Sequence, residues 1–94
     1  MAVKVMIRRR VPAARAKSAG DLLTELRMLA NAQAGYVSGE TLRNYEDSEE
    51  VLVISTWLTP EAWAKWFTSR QRQEIQAQVD EVLGGRTTYA VYHH

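Results

Sequence analysis

Val51-Leu52-Val53-Ile54-Ser55-Thr56-Trp57-Leu58 (VLVISTWL) is apolar at both odd and even positions and rich in β-branched residues. A strand of that kind is covered on both faces, so it belongs at the centre of a sheet. Immediately before it, Glu46-Asp47-Ser48-Glu49-Glu50 gathers acids that are tolerated only at a solvated tip, which makes this stretch a hairpin turn. The partner strand is then Tyr36 to Tyr45 (YVSGETLRNY), whose mixed polarity and Gly39 mark an edge. Immediately after the central strand, Thr59-Pro60-Glu61 combines a hydroxyl cap, a proline at the first helical position and an acid in the first turn. The helix it opens is predicted to reach Leu83 with a bend near Ser69, where Gly84-Gly85 stops it. Thr87 to Tyr92 (TTYAVY) has the content of a final strand.

On the N-terminal side, Val3, Val5, Ile7 and Val11 alternate with Lys4, Met6, Arg8 and Arg10, the period of a strand with unlike faces, and Pro12 ends it. From Ala16 to Gln33 the apolar positions Ala19, Leu22, Leu23, Leu26, Leu29 and Ala30 recur at helical spacing. Gly35 lets the chain reverse into the edge strand. The order is β-α-β-β-α-β within one domain spanning residues 1–94. Right-handed crossovers put both helices on one face of an antiparallel sheet, the ferredoxin-like arrangement, with the first and third strands central. The other face stays bare, exposing Leu52, Ile54 and Met6 or else the opposite set. An apolar patch of that extent predicts a second copy of the chain lying over it, giving a homodimer.

Composition narrows the chemistry. Ninety-four residues close one core but not two. With no cysteine, disulfides, thiolate metal sites and thiol catalysis are excluded, which fits a reducing, cytoplasmic setting. No apolar run has the length of a membrane-spanning helix. Twelve basic and eleven acidic residues leave a formal charge of +1, unlike proteins built to hold nucleic acid.

Gly35-Tyr36, Val53-Ile54-Ser55-Thr56-Trp57 and Trp63-x-x-Trp66-x-x-Ser69 together resemble the antibiotic biosynthesis monooxygenase family (ABM domains) over nearly the whole chain. The resemblance implies a dimeric α+β barrel, in which two sheets face each other and each subunit keeps a pocket between sheet and helices. It also implies oxidation of phenols by molecular oxygen with neither metal nor flavin, the substrate supplying the electrons. Within the family, haem-degrading members carry an iron-ligating histidine ten residues after the tryptophan matching Trp66, and an assisting asparagine on the first strand. This chain has Gln76 at the first position, and Ile7 or Arg8 at the second, so the resemblance does not extend to haem degradation.

Trp57, Trp63, Trp66 and Phe67 concentrate aromatic surface near the start of the second helix, suiting either a flat ligand or core packing. The resemblance places the pocket at Trp66, and adds Ile7, Arg8 and Tyr36 from the strands. Arg8 or a tyrosine could stabilise a phenol's anion there. Arg8, Arg9, Arg10, Arg15 and Lys17 form a basic run without acids, but alternation sends Arg9 to the opposite face from Arg8 and Arg10. The run is read as a solvated rim or as dimer-interface ion-pair partners for the acidic hairpin, rather than as a site for an anionic substrate. Its separation from the aromatic residues argues against single-stranded nucleic acid as a partner. His93 and His94, as strand neighbours, point to opposite faces and do not share a metal; they read as a fraying terminus. No nucleophile elbow, phosphate-cradling glycine loop or paired carboxylates appear, so no catalytic residue is assigned and no cofactor is demanded. Two functions stay open: cofactor-independent oxygenation of a small aromatic or quinol-like molecule, and a non-catalytic dimeric module that binds a metabolite or protein.

Overall fold

The computed structural model describes residues 1–94. The elements are β1 (Val3–Arg10), α1 (Ala16–Asn31) after a 3-10 turn at Ala13–Arg15, β2 (Tyr36–Arg43), β3 (Glu50–Trp57), α2 (Pro60–Phe67), α3 (Arg70–Leu83) and β4 (Thr88–Tyr92). The sheet is antiparallel throughout, in the order β2-β3-β1-β4, so the first and third strands are indeed central. No helix is long and apolar enough to cross a membrane.

The single long helix predicted after Pro60 is two helices. Thr68 ends α2 with its hydroxyl donating to the Ala64 carbonyl at 2.8 Å, and Ser69 adopts an extended conformation whose hydroxyl accepts the Arg72 N–H at 3.2 Å. The Ala64 carbonyl also keeps the Thr68 backbone N–H at 3.0 Å, the last bond of α2, and the Ser69 hydroxyl takes up a donor that opens α3, so a full break replaces the expected bend. Thr59 caps α2 as anticipated, accepting the Ala62 N–H at 3.1 Å.

Alternation in β1 divides the sheet cleanly. Val3, Val5, Ile7 and Arg9 turn toward the helices and are buried, whereas Lys4, Arg8 and Arg10 are exposed on the other side. The core joins Val3, Val5, Ile7 and Trp57 to Ala19 and Leu26 of α1, Trp63 and Trp66 of α2, and Ile75, Val79 and Leu83 of α3. On the opposite face Met6 pairs with Ile54, and Leu42 of the edge strand pairs with Leu52. Met6, Leu52 and Ile54 are the first of the two sets expected on the bare face; no helix covers them, and Leu42 and Tyr92 on the same face are exposed outright.

Two local features fix the register of the strands that carry the site. Gly35 sits at φ +88°, and a Cβ there would lie 2.5 Å from the Ala62 Cβ, so the chain needs both left-handed backbone and close approach to α2. The Gly35 carbonyl also accepts the Leu58 N–H at 2.8 Å, tying the start of β2 to the end of β3. At the other end, the Asn44 side chain accepts the Glu46 N–H at 2.8 Å and closes the acidic hairpin. Arg10 donates to Asp47 at 2.8 Å and to Glu49 at 3.2 Å, and Arg8 to Glu50 at 3.2 Å. The pairing of the basic run with the hairpin, expected across a dimer interface, is instead found within one chain, through exposed pairs that add little to stability.

Candidate ligand-binding site

Helix α1 packs on α3 and touches β2 little, so the helix-facing side of the β2–β3 edge is only partly roofed. A cavity of about 190 Å³ lies there. Leu23, Leu26 and Ala30 of α1 form its roof; Ile7, Val51, Val53, Ser55 and Trp57 form its floor. Tyr36 and Gly39 close one side, and the exposed residues Thr24, Arg27 and Thr41 stand at its mouth. The walls are chiefly aliphatic and aromatic with a few polar atoms, the usual make-up of a small-molecule pocket.

The floor is rigid for identifiable reasons. Trp57 is completely buried; its indole N–H donates to the Ser55 hydroxyl at 3.1 Å, which supplies the partner a buried indole requires. Tyr36 meets Trp57 edge-to-face at 5.3 Å, and Trp63 supports Trp57 from the far side at 5.7 Å. A Cβ at residue 39 would fall 2.5 Å from the Tyr36 hydroxyl, so Gly39 leaves the room that this hydroxyl occupies. Burial pushes the Tyr36 phenol up from its ordinary value, with Arg27 opposing, so Tyr36 stays neutral at physiological pH and offers an O–H rather than a base.

Arg9 is the buried charged group of this cavity, Arg27 the exposed one at its mouth. Arg9 is only 7% exposed, and its Nη2 donates to the Gln76 Oε1 at 3.3 Å. Gln76 is held in turn, its Nε2 donating to Asp80 at 2.8 Å and to Thr87 at 3.0 Å. No carboxylate lies within 4.0 Å of the Arg9 guanidinium, and its buried Nε–H has no acceptor. Burial lowers the Arg9 pKa from its ordinary value; Tyr89 and Asp80 oppose this, while the neighbouring cation Arg72 reinforces it. Because a guanidinium does not deprotonate in proteins, that shift expresses the cost of an unbalanced positive charge rather than a neutral arginine.

Of the residues singled out from the sequence, the fold brings Ile7, Tyr36 and Trp57 together on the cavity. Trp63, Trp66 and Phe67 lie elsewhere: Trp63 and Trp66 are buried in the core, and Phe67 packs against it. Phe67 and Tyr89 meet edge-to-face at 5.0 Å, and Arg72 packs against both, 4.4 Å and 5.1 Å from their ring centres, donating to the Phe67 carbonyl at 3.0 Å and to the Tyr89 hydroxyl. Arg8 faces the opposite side of the sheet, where it pairs with Glu50. Arg9 is buried and does not belong to the solvated rim that its basic run suggests. The signal that would have found it is the strand alternation itself, which puts Arg9 in line with Val3, Val5 and Ile7. No three histidine, aspartate or glutamate side chains converge where they could hold a metal ion, and His93 and His94 are both exposed at the end of the chain.

A family model described as "Antibiotic biosynthesis monooxygenase" matches residues 2–78. No curated protein matches the chain by sequence. Among solved structures, a conserved protein from Methanosarcina mazei Go1 is 17% identical and superimposes with a TM-score of 0.88, covering 99% of this chain and 92% of that one. SnoaB, a cofactor-independent oxygenase from Streptomyces nogalater, is 15% identical with a TM-score of 0.84 over 99% of this chain and 92% of its own. Rv0793 from Mycobacterium tuberculosis is 18% identical with a TM-score of 0.85 over 100% of this chain and 95% of its own. At these identities the structural likeness establishes the fold.

Proposed function

The chain belongs to the antibiotic biosynthesis monooxygenase family, and on that premise we propose that it is a homodimeric, cofactor-independent monooxygenase acting on a small aromatic or quinol-like molecule bound between α1 and the sheet. The observation that carries the reading is the apolar, aromatic-walled cavity of about 190 Å³ with few polar groups. Ile7, Tyr36 and Trp57 wall the substrate, and Trp63 buttresses Trp57 from behind. SnoaB, of the same fold, is described as an oxygenase that needs no cofactor, which supports the same chemistry here.

For a naphthol-type substrate the reaction balances without any further reagent. One atom of dioxygen enters the ring as a quinone carbonyl, the other leaves as water, and the substrate provides the electrons that reduce both. The protein's part is to hold the ring flat and to exclude water from it. The bare face carrying Met6, Leu52 and Ile54 is proposed as the homodimer interface, and the cysteine-free chain suits the cytoplasm as its location.

A second reading, a non-catalytic module that binds a small molecule, is favoured by one specific observation. No carboxylate or imidazole lines the cavity, and Tyr36 stays protonated, so no side chain there is an evident general base. Aerobic incubation with naphthol and quinol substrates under ¹⁸O-labelled dioxygen separates the two. Labelled quinone and oxygen consumption are expected; binding without oxygen-dependent product would overturn the monooxygenase and leave the binding module.

A further inference from the structure

We propose that Arg9, oriented by Gln76, is the anion-recognition group of this cavity, and that the ligand is a planar molecule of one or two fused rings carrying an ionised oxygen. The proposal rests on the cavity being the ligand site and goes beyond that by naming the ligand's charge and size.

A cation taken out of water needs a counter-charge or a full set of acceptors. Arg9 has neither: of the five N–H donors a guanidinium presents, one reaches Gln76, and the buried Nε–H meets nothing. Asp80, the carboxylate whose charge Arg9 feels, is linked to it only through the Gln76 amide and so does not neutralise it directly. A second buried cation, Arg72, stands behind it and is also without a carboxylate within 4.0 Å. The groups packed around the cavity from α1, β2 and β3 add no acid: Arg27 and the hydroxyls of Thr24, Tyr36, Thr41 and Ser55 are the polar members. The site is therefore electropositive at one end and apolar over the rest, which matches an aromatic body with a single ionised oxygen at one edge.

Size sets the second limit. A dry engineered cavity of roughly 150 Å³ accommodates benzene. About 190 Å³ suits a ring system only somewhat larger, and three or four linearly fused rings would have to project through the mouth past Arg27 and Thr41.

Gln76 is the positioning residue of this arrangement. Its amide orientation is fixed by the two bonds from Nε2, to Asp80 and Thr87, which leave Oε1 to accept from Arg9. It holds the guanidinium without neutralising it, so the charge stays available to a ligand.

The test uses the full-length protein and three probes of one shape: 2-naphthoate, neutral 2-naphthamide and 2-naphthol. Binding is followed by calorimetry under anaerobic conditions, so it is independent of turnover. Naphthoate is expected to bind about tenfold or more tightly than naphthamide, and bound 2-naphthol is expected to ionise about one pH unit or more below the free compound, read from the naphtholate absorption band. Arg9→Met should abolish both effects while retaining naphthamide binding. If Arg9→Met does not fold, Arg27→Met separates the two cations of the cavity: both effects should persist in it, and their loss would overturn the role of Arg9. Naphthoate preference without a shift in naphthol ionisation would assign the anion as a carboxylate; a shift in naphthol would assign a phenolate or enolate. Equal binding of naphthoate and naphthamide with no naphthol shift, or effects that persist in Arg9→Met, would overturn the role of Arg9 and leave the cavity reading intact. Failure of all three probes to bind would overturn both.

Discussion

Gly35→Ala offers a quantitative test of how the start of β2, and with it Tyr36, is held over the cavity. The substitution has two separable costs. At φ +88° an alanine suffers the left-handed backbone penalty, about 1–2 kcal/mol. Its methyl would also arrive 2.5 Å from the Ala62 Cβ at the first turn of α2, an overlap that must be relieved by backbone movement at about 1–3 kcal/mol. The sum, roughly 2–5 kcal/mol, is a large share of the roughly 5–15 kcal/mol that stabilises a typical domain. Gly84→Ala is the internal control. It sits at φ +66° with only the Arg15 Nη1 nearby at 3.7 Å, so it should bear the backbone cost alone. Denaturant unfolding of Gly35→Ala, Ala62→Gly and the double variant closes a thermodynamic cycle. The double variant should recover about 1–3 kcal/mol relative to additivity, because removing the Ala62 methyl relieves the overlap but not the backbone strain. A Gly35→Ala loss no greater than that of Gly84→Ala, or strict additivity in the cycle, would refute the close approach of β2 to α2.

Three further outcomes are expected. Trp66→Ala should cost about 3–5 kcal/mol as a buried aromatic truncation, measured by unfolding, yet leave naphthamide affinity within a few-fold, because Trp66 is in the core and not on the cavity; a selective loss of affinity in a stable variant would count against that placement. Ile54→Lys puts a charge amid the bare face opposite Met6 and should convert the proposed homodimer to monomer in sedimentation, whereas an unchanged association state would remove this face as the interface. Asp47 is held below the ordinary carboxylate range by its hydrogen bond from Arg10, then by the Glu49 backbone N–H. A depressed carboxylate contributes stability above its unfolded pKa and loses it as pH falls through the folded value. Asp47→Asn should therefore flatten the acid limb by slightly lowering stability in the neutral region while leaving it nearly unchanged below the folded pKa; an unchanged acid limb in denaturant unfolding across pH would count against the pairing.

Much of the fold was legible because apolar periodicity and turn chemistry agreed. The doubly apolar run at Val51–Trp57 could only be central, and the acidic hairpin beside it set the register of β2. The break between α2 and α3 was less legible, since the hydroxyls of Thr68 and Ser69 act on backbone groups that a periodicity count ignores. The site was legible in part. Ile7, Tyr36 and Trp57 converge, but Trp66, the most conspicuous aromatic residue, packs inward with α3 rather than toward the gap left by α1. Which side of a sheet a helix leaves uncovered depends on how two helices lean on each other, and no single segment encodes that. Arg9 was obscured differently. Its position in a basic run suggested solvent, while alternation pointed it inward, and alternation prevails because a register slip would expose Val3, Val5 and Ile7 together.

Aromatic ligands are expected to enter the space beneath α1 and not the aromatic cluster of α2. The indole N–H resonances of Trp57, Trp63 and Trp66 report on it directly, each lying at a different distance from the cavity wall. Titration with 2-naphthol should shift Trp57 most, Trp63 less through its contact with Trp57, and leave Trp66 in place. A shift at Trp66 with Trp57 unmoved would contradict the account.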